Sequence, residues 1–351
     1  MLVDSPLDSF AFAASSMIEA KRRVAGRSIQ PSAGRARGVR IAVLGSGGVG
    51  GYFGGRLVQT GVAEVSFVAR GPHLQSLQSD GLRVRSVFGD FHVRAPATDD
   101  PGTIGPCDYV LFCVKSYDTV TAIQQLPPLI AEHTAVVSLQ NGIDNEEKIA
   151  AAVGTQHVVG GVAFIFSSIS EPGVIMHTGG PARIVLGEMD GSTSGRVEAL
   201  TDLCRQAGIA AETTDNIRHV LWDKFAFICA QAALTSVTRL PVGAIRDVPE
   251  TWEVFVSILR EVVGVARAEG IDLGEAAVDR HAAFAKGLEA RSFSSLYDDL
   301  TSGRRMELEA LHGELVRRAE RHGVDVPVSR MVYAFLRPWA LRNAAGQAQV
   351  R

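Results

Sequence analysis

Three glycines, Gly45, Gly47 and Gly50, follow a short apolar run and have the spacing G-x-G-x-x-G. A helix-compatible segment, 52–59, comes directly after them. In a strand–turn–helix unit the first glycine permits the tight turn, the second lets a pyrophosphate approach the backbone, and the third lets helix and strand pack closely. We therefore predict a dinucleotide-binding turn formed by Gly45, Ser46, Gly47, Gly48, Val49 and Gly50. The alternative is an ordinary glycine-rich turn between a strand and a helix.

The residue that follows the second apolar run, 64–69, indicates which dinucleotide is bound. Folds of this kind that prefer NAD usually carry Asp or Glu at the end of their second strand, where the carboxylate binds the ribose 2′-hydroxyl. Here that end carries Arg70, while Glu64 lies at the opposite end of the run. A guanidinium offers paired, charge-assisted hydrogen bonds to a 2′-phosphate, so we predict NADP(H) as the cofactor. A solvated loop arginine is the alternative.

Two groups of polar residues follow further apolar runs at 108–114 and 135–139. Lys115 comes directly after the first run, and Asn141 comes shortly after the second. Such strand ends meet at the carboxyl edge of a parallel sheet, so we expect both residues to contact cofactor and substrate. Lys115 could donate to the nicotinamide ribose or to a substrate carboxylate, and the Asn141 amide can donate and accept. The alternative for Asn141-Gly142 is a turn, which this dipeptide often forms.

Lys224 shares a helical stripe with the apolar residues Val220, Leu221 and Ile228 in the predicted helix 216–234. A buried ammonium is costly unless it is paired or its pKa falls. A lysine in this position is a candidate general acid that gives a proton to a carbonyl oxygen as a hydride reaches the carbon. The alternative is that its aliphatic stem simply extends to water.

Glu307 begins a similar stripe, because Leu311 and Leu315 follow it at intervals of four. We expect its carboxylate to face the core side of a helix over 306–322. Three other charged residues of this helix are expected to point away from the core: Glu309, Arg318 and Glu320. Glu307 could accept a hydrogen bond from a substrate hydroxyl or hold Lys224 in its charged form. It could also be a favourable charge in the first turn of the helix.

The elements that must position these residues alternate between strands and helices in the first part of the chain. This alternation predicts an α/β fold with a doubly wound parallel sheet and right-handed connections. The predicted strands are buried apolar runs at 40–44, 64–69, 108–114, 135–139, 158–166 and 182–186. A hairpin with its turn at Gly89-Asp90 is predicted over 82–93, and a helix over 119–130 is limited by Pro127-Pro128.

From about residue 215 helical periodicity replaces this alternation. Helices are predicted at 216–234, 250–269, 275–285 and 306–322. The predicted domains are a flexible N-terminal extension at 1–38, a nucleotide-binding domain at 39–213, and a helical substrate and catalytic domain at 214–345. We expect the active cleft between the last two, because ligands of such sheets bind beyond the carboxyl ends of the strands.

Composition argues against several other classes of protein. The net charge of −3 gives no reason to expect nucleic acid as a partner. No uninterrupted apolar stretch reaches the ~18 residues of a membrane span, so we expect no membrane partner. The four cysteines have no metal-binding spacing, so we expect free thiols, no metal site and a cytoplasmic protein. The helical surface of the second domain would suit a homodimer.

These motifs, in this order, resemble the ketopantoate reductase (2-dehydropantoate 2-reductase) family over residues 39–335. The similar features are the glycine motif, the strand-end groups Val114-Lys115 and Gln140-Asn141-Gly142, and the segment Leu221-Trp222-Asp223-Lys224. Two later segments are similar as well: 294–309, which contains Ser295 and Glu307, and 321–327, which reads Arg-His-Gly-Val-Asp-Val-Pro.

The resemblance implies a Rossmann-type domain followed by an all-helical domain like the C-terminal domain of 6-phosphogluconate dehydrogenase. It implies NADPH-dependent reduction of a 2-oxo acid to a 2-hydroxy acid, by default 2-dehydropantoate to (R)-pantoate in pantothenate biosynthesis. Lys224 matches the family's catalytic lysine and Glu307 its catalytic-site glutamate. Lys115 and Asn141 match residues that contact cofactor and substrate. Ser295 matches a serine that binds the substrate carboxylate.

The chain departs from the family pattern at two positions. Well-studied family members carry asparagines four and eight residues after the catalytic lysine, and this chain has Ile228 and Ala232 there. Each lost amide removes a hydrogen bond worth on the order of 1 kcal/mol in a buried site. A sibling reductase for a less polar 2-oxo acid is therefore an alternative, and a non-catalytic NADP(H)-binding sensor is another.

Overall fold

The computed structural model describes residues 38–348. The predicted flexible extension at 1–38 therefore lies outside the described residues, apart from Gly38. The chain forms two compact units. The described residues of unit 1 are 38–114, 120–140 and 148–217, and those of unit 2 are 115–119, 141–147 and 218–348. Unit 2 thus includes two short segments that follow strands of unit 1 in the sequence.

Unit 1 is built on one mainly parallel sheet. Its strands are β1 (Arg40–Leu44), β2 (Glu64–Val68), β3 (Leu82–Ser86), β4 (Phe91–Val93), β5 (Ala97–Thr98), β6 (Tyr109–Phe112), β7 (Ala135–Ser138), β8 (Val158–Glu171), β9 (Val174–Glu188) and β10 (Ala210–Thr213). The order is β4-β3-β9-β8-β7-β6-β1-β2-β5, and β10 pairs with β9. All pairs from β5 across to β8 are parallel, which confirms the predicted doubly wound sheet.

Strands β8 and β9 correct the predicted arrangement of the sheet. They form an antiparallel pair, whereas the runs at 158–166 and 182–186 were predicted to extend the parallel sheet. Only Pro172-Gly173 connects the two strands, and a parallel connection needs a crossover of about a dozen or more residues. The predicted hairpin of β3 and β4 is confirmed, with Gly89 at φ +108° in its turn.

Helices alternate with these strands in the first part of the chain. They are α1 (Gly48–Thr60), α2 (Gly71–Ser79), α3 (Thr119–Ile123), α4 (Asn145–Val153) and α5 (Gly195–Gln206). Short 3-10 turns lie at Pro101–Thr103, Ser116–Asp118, Pro127–Leu129 and Thr155–His157. The helix predicted over 119–130 ends early at Ile123, because the prolines of the following turn cannot donate the main-chain hydrogen bonds that a helix needs.

Unit 2 is helical from residue 218 onwards. Its helices are α6 (Ile217–Thr238), α7 (Val242–Arg246), α8 (Pro249–Ala268), α9 (Ala277–Gly287), α10 (Ser295–Thr301), α11 (Glu314–His322) and α12 (Pro327–Ala348). Most side chains of helix α6 are buried in one hydrophobic cluster, which also includes Phe255 and Leu315. By length and composition α6 could cross a membrane, but most of it is buried within the protein, as expected for the core helix of a globular unit.

The helix predicted over 306–322 is interrupted at its start. Glu307 precedes it in an irregular segment, a π-helical turn covers Glu309–Gly313, and α11 begins only at Glu314. The prediction that Arg318 points to solvent is wrong, since this side chain is buried. Arg318 follows the core residue Leu315 by three positions, and residues three apart lie on the same face of a helix.

Candidate active site

The glycine turn of unit 1 has the shape that a dinucleotide requires. Gly45 has φ +98°, and a Cβ there would lie 2.6 Å from the Val114 nitrogen. A Cβ at Gly50 would lie 2.3 Å from the Gly45 oxygen, so helix α1 approaches the strand closely. A Cβ at Gly47 would meet nothing within 4 Å. The first and third glycines are therefore needed for the turn itself, whereas the backbone at the second is open on its Cβ side, as the predicted approach of a pyrophosphate requires.

The start of α1 offers main-chain donors beside this space. The first bond of the helix runs from the Gly51 N–H to the Gly47 oxygen at 2.7 Å, so the N–H groups of Gly48, Val49 and Gly50 precede the intrahelical ladder. Such a helix start attracts a phosphate through these donors and through its dipole. Ser46 contributes differently, because its hydroxyl donates to the Val68 oxygen at 3.1 Å and so fixes the turn.

Arg70 lies where a 2′-phosphate contact would be expected. It follows β2 and is the exposed N-cap residue of α2. Glu64, the first residue of β2, lies at the other end of the strand. The arginine, and not the carboxylate, is thus at the carboxyl end of the strand. The choice of NADP(H) over NAD(H) stays a prediction.

Four predicted site residues come together within unit 2. The Lys224 Nζ donates to the Asn141 Oδ1 at 2.8 Å. The Lys115 Nζ donates to the Glu307 Oε2 at 2.9 Å, and the Ser116 N–H donates to the Glu307 Oε1 at 2.9 Å. Glu307 thus binds Lys115 directly, and its charge also acts on Lys224, whose pKa it raises. The site contains two lysines in different surroundings.

Burial lowers the pKa of Lys224 from 10.5 to about 8, and the Glu307 carboxylate opposes this shift only in part. The neutral Asn141 oxygen orients the ammonium without adding a compensating charge. A lysine with this pKa is mostly protonated at neutral pH, yet it releases a proton far more readily than an exposed lysine does. Lys224 therefore has the properties of a general acid.

Lys115 and Glu307 form a pair of stable charges. Burial disfavours the charge of Lys115, but Glu307 and Asp299 raise its pKa above the ordinary value. Burial similarly tends to raise the pKa of Glu307, but Lys115 and the Ser116 N–H lower it below the ordinary value. Each partner stabilises the charged form of the other, so neither titrates near neutral pH. The Lys115 side chain is 44% exposed, so part of it is accessible to a ligand.

The adjacent residues Ser294 and Ser295 differ in exposure. Ser295 is exposed at the first position of α10. Ser294 is buried; its hydroxyl accepts from the Tyr297 N–H at 3.1 Å and is hydrogen-bonded to Thr235 of α6 at 2.7 Å. Ser294 therefore caps α10 and joins it to α6, which leaves Ser295 as the serine of the pair with an exposed side chain.

Sequence reasoning missed two buried residues that hold this cluster. Asp299 accepts from the Lys115 Nζ at 3.2 Å and from the Arg304 Nε at 2.9 Å. Asn145 donates to the Asn141 main-chain oxygen at 3.0 Å and so fixes the segment that carries Asn141. Asp299 lies four residues after Ser295, on the same side of α10, and this spacing was the signal that could have identified it.

Among residues 38–348, no group of three or more His, Cys, Asp and Glu side chains has the arrangement to hold a metal ion. All four cysteines are free.

The family model "Ketopantoate reductase PanE/ApbA" matches residues 41–191, and its C-terminal counterpart matches residues 216–340. "Uncharacterized oxidoreductase YkpB" of Bacillus subtilis is 31% identical over 300 residues, covering 85% of this chain and 98% of that protein. The "2-dehydropantoate 2-reductase" of Halobacterium salinarum is 32% identical over 303 residues, covering 85% and 98%.

Solved structures give the same result. The crystal structure of a PanE/ApbA family ketopantoate reductase from Ralstonia eutropha JMP134 has a TM-score of 0.80 and 33% identity, covering 87% of this chain and 100% of that one. The two family models, the relatives matched over nearly their whole length and the solved structure all indicate the same family. The chain therefore belongs to the ketopantoate reductase family and is an oxidoreductase with a nicotinamide cofactor.

Proposed function

We propose that this enzyme reduces a 2-oxo acid to a 2-hydroxy acid with NADPH, and that 2-dehydropantoate is its substrate and (R)-pantoate its product. The observation that carries the proposal is the position of Lys224, whose pKa of about 8 and contact with Asn141 suit a proton donor. Relatives named 2-dehydropantoate 2-reductase support the choice of substrate. The reaction would supply pantoate for pantothenate biosynthesis.

The proposed roles follow from the charges of the site. When bound, the nicotinamide supplies a hydride to the oxo carbon. Lys224 donates a proton to the oxo oxygen, which becomes the hydroxyl of the product. Glu307 accepts a hydrogen bond from a substrate hydroxyl with its ionised carboxylate. Lys115 and the exposed Ser295 bind the substrate carboxylate, and Asn141 keeps Lys224 oriented as it gives up its proton.

Cofactor binding is assigned to the domain at 39–213 and catalysis mainly to the helical domain at 214–345. The open position at Gly47 and the donors at the start of α1 support binding of the pyrophosphate. Arg70 at the end of β2 supports NADPH over NADH, because a guanidinium pairs with a 2′-phosphate. Lys115 and Asn141 are proposed to contact the cofactor as well as the substrate. We further propose a cytoplasmic enzyme whose helical domain could form a homodimer.

The decisive experiment replaces Lys224 by alanine. Turnover of NADPH with 2-dehydropantoate should fall by about 10²–10⁴-fold, which is typical of a lost general acid, while the Kd for NADPH measured by fluorescence changes little. Lys286→Ala is the matched control, because Lys286 is an exposed lysine of α9. A Lys224→Ala enzyme with the wild-type rate would remove this lysine from the mechanism.

A non-catalytic NADP(H)-binding sensor would give a different result. The wild-type protein would bind NADPH tightly and oxidise it with no 2-oxo acid of a panel. The retention of Lys224 and Glu307 in one cluster argues for catalysis.

One observation favours a less polar substrate as the second candidate. Within residues 221–236 of α6, Lys224 and Ile228 are the two side chains that are not fully buried, and they lie one turn apart. Ala232 is 2% exposed within the core, so Ile228 is the departure from the family pattern that a substrate could meet. A branched aliphatic surface beside the ammonium would suit an apolar side chain on the 2-oxo acid.

A panel of 2-oxo acids separates the two substrates. If the pocket is apolar, kcat/KM should be higher for 2-oxoisovalerate and phenylglyoxylate than for 2-dehydropantoate. Ile228→Asn should then shift the preference towards 2-dehydropantoate, whereas Ile228→Val should leave the order unchanged. Highest kcat/KM for 2-dehydropantoate in the wild-type enzyme would favour the first candidate.

A further inference from the structure

One histidine of unit 1 joins three segments around the glycine turn. His73 lies in the first turn of α2. Its Nε2 is 2.8 Å from the main-chain oxygen of Ser46, within the glycine turn. Its Nδ1 is 3.0 Å from the Gly173 nitrogen, in the turn between β8 and β9. The imidazole therefore bridges the glycine turn and the β8–β9 turn from a third element.

These two contacts require one form of the ring. A carbonyl oxygen can only accept, so the Nε2 must carry hydrogen, and a main-chain N–H can only donate, so the Nδ1 must be unprotonated. Both contacts are therefore made only by the neutral Nε2–H tautomer. Burial lowers the pKa of His73 below its ordinary value, although the hydrogen bond to Ser46 opposes the shift, and this direction favours the neutral ring.

The contact with Ser46 determines which way the next peptide group points. The Ser46 N–H donates to the Val68 oxygen at 3.3 Å, and its hydroxyl donates to the same atom at 3.1 Å. His73 holds the remaining polar group, the Ser46 carbonyl. In a trans peptide the C=O and the following N–H point in opposite directions, so the Gly47 N–H points away from His73. Among the three glycines of the motif, Gly47 is the one at which a Cβ would meet no atom within 4 Å.

The hairpin of β8 and β9 packs against the same turn at a second point. A Cβ at Gly48 would lie 2.4 Å from the Ser167 oxygen of β8. The His73–Gly173 contact thus fixes a hairpin that also limits the position of the helix start. Arg70, the candidate 2′-phosphate ligand, precedes His73 by three residues and caps the same helix.

We propose that His73 is a positioning residue of the cofactor site, which in its neutral form fixes the Gly47 N–H for the pyrophosphate and ties the Arg70 end of α2 to the glycine turn. The inference rests on the proposed function, since it assumes that this turn binds NADP(H). Ser46 and Gly173 present main-chain atoms to the ring. The charged residues close in sequence to His73 and Gly173 are Arg70 and Glu171. The Glu171 Oε1 lies 4.0 Å from the Arg85 Nη2.

Two substitutions at position 73 test the proposal. His73→Gln retains an acceptor and a donor at the end of the side chain but cannot be protonated, and His73→Ala removes both. The Kd for NADP⁺ should rise about tenfold in His73→Ala, because one or two hydrogen bonds that hold the turn are lost. His73→Gln should recover most of this affinity, and kcat at saturating cofactor should be nearly unchanged in both. His92→Gln, an exposed histidine of β4, is the matched control.

The pH dependence separates positioning from simple structural support. Between about pH 8 and pH 5.5 the wild-type Kd for NADP⁺ should rise more steeply than that of His73→Gln, because protonation of the ring turns an acceptor into a donor facing the Gly173 N–H. The 2′-phosphate also titrates in this range, but equally for both proteins. Identical pH profiles, or wild-type affinity in a folded His73→Ala protein, would overturn the proposal.

Measurements on the ligand-free wild-type protein make the test independent of any variant that fails to fold. Long-range ¹H–¹⁵N spectra of the His73 ring should show a protonated Nε2 and an unprotonated Nδ1 at neutral pH. The opposite tautomer would contradict the geometry and overturn the proposal. If the wild-type protein binds no dinucleotide, the cofactor assignment itself fails, and the inference fails with it. Binding that is insensitive to position 73 overturns the inference alone.

Discussion

The Nζ atom of Lys224 lies 2.8 Å from the Oδ1 atom of Asn141, a residue 83 positions earlier in the sequence. This partner is neutral, whereas the other lysine of the cluster, Lys115, is paired with two carboxylates. Burial lowers the pKa of Lys224 more than Glu307 raises it, whereas Glu307 and Asp299 together raise the pKa of Lys115 above its ordinary value. The pKa of Lys224 is consequently below the ordinary lysine value, and the pKa of Lys115 is above it. Lys224 can exchange a proton near neutral pH, and Lys115 keeps its charge.

The pH dependence of reduction should report Lys224. A general acid must be protonated, so we expect kcat for reduction to fall as the pH rises through about 8. The pH–rate profile at saturating cofactor and substrate measures this limb. A profile that stays flat well above this pH would show that Lys224 is not the proton donor.

The stability of the enzyme should change with pH in the opposite sense. The folded-state pKa of Lys224 lies below its unfolded value, so the unfolded state binds more protons between about pH 8 and pH 10.5. Lys224 therefore lowers the free energy of unfolding most below about pH 8, and this destabilisation decreases as the pH rises towards 10.5. Lys224→Met should raise the free energy of unfolding at neutral pH by roughly 1–3 kcal/mol, measured by urea denaturation. The gain should shrink towards pH 10.5, and equal gains at both pH values would contradict the shift.

Asn141→Asp tests whether a neutral partner is needed. A carboxylate at the position of the amide would lie next to the ammonium and raise the pKa of Lys224. We expect the alkaline limb of the pH–rate profile to move to higher pH in Asn141→Asp. Asn141→Ala, the uncharged control, should lower kcat without this upward movement. Superimposable limbs in the wild-type and Asp enzymes would show that the profile reports another group.

The sequence predicted those features that depend on local pattern. Lys115 and Asn141 do follow buried strands, β6 and β7, because an apolar run and the polar residue after it can be read directly. The antiparallel course of β9 was not predicted, since the direction of a strand depends on the length of its connection. The helix start near Glu307 was also wrong by several residues, because a π-helical turn leaves no simple period in the sequence.

Contacts between residues that are far apart in the sequence could not be predicted from local sequence patterns. The spacing from Ser295 could mark Asp299 as a site residue, but its partner Lys115 lies 184 positions away and cannot be identified from that spacing. His73 was likewise missed, because its role depends on Ser46 and Gly173, which are 27 and 100 positions away. Such residues become visible only once the fold brings their partners together.

Arg70→Asp should change the choice of cofactor. The substitution removes the guanidinium from the end of β2 and introduces the carboxylate that would accept from a ribose 2′-hydroxyl. We expect the Kd for NADPH to rise by about 10-fold to 100-fold and the Kd for NADH to change much less. Fluorescence titration measures both constants. Arg83→Asp, at an exposed position of β3, is the control, and equal losses for both cofactors at Arg70→Asp would contradict the assignment.

Two neighbouring arginines of α11 should differ sharply in their effect on stability. Arg318 is 2% exposed and donates to Glu314, Glu269 and Glu147 at distances of 2.8–2.9 Å. Arg317 also pairs with two carboxylates, but its side chain is 47% exposed. Removing Arg318 leaves a buried cluster of charges without compensation. Removing Arg317 costs less, because its own charge is exposed and its buried partner Glu314 keeps the contact with Arg318.

We therefore expect Arg318→Met to lower the free energy of unfolding by about 3–5 kcal/mol and Arg317→Met by less than about 1 kcal/mol, both measured by urea denaturation. Arg318 also donates to the Ile143 main-chain oxygen at 3.3 Å, two residues after Asn141. The loss of this contact should loosen the segment that orients Lys224, so kcat should fall in Arg318→Met even at temperatures where the enzyme is fully folded. Similar losses of stability in both variants would mean that the carboxylates around Arg318 are hydrated. Burial would then not determine how much this cluster contributes to the free energy of unfolding.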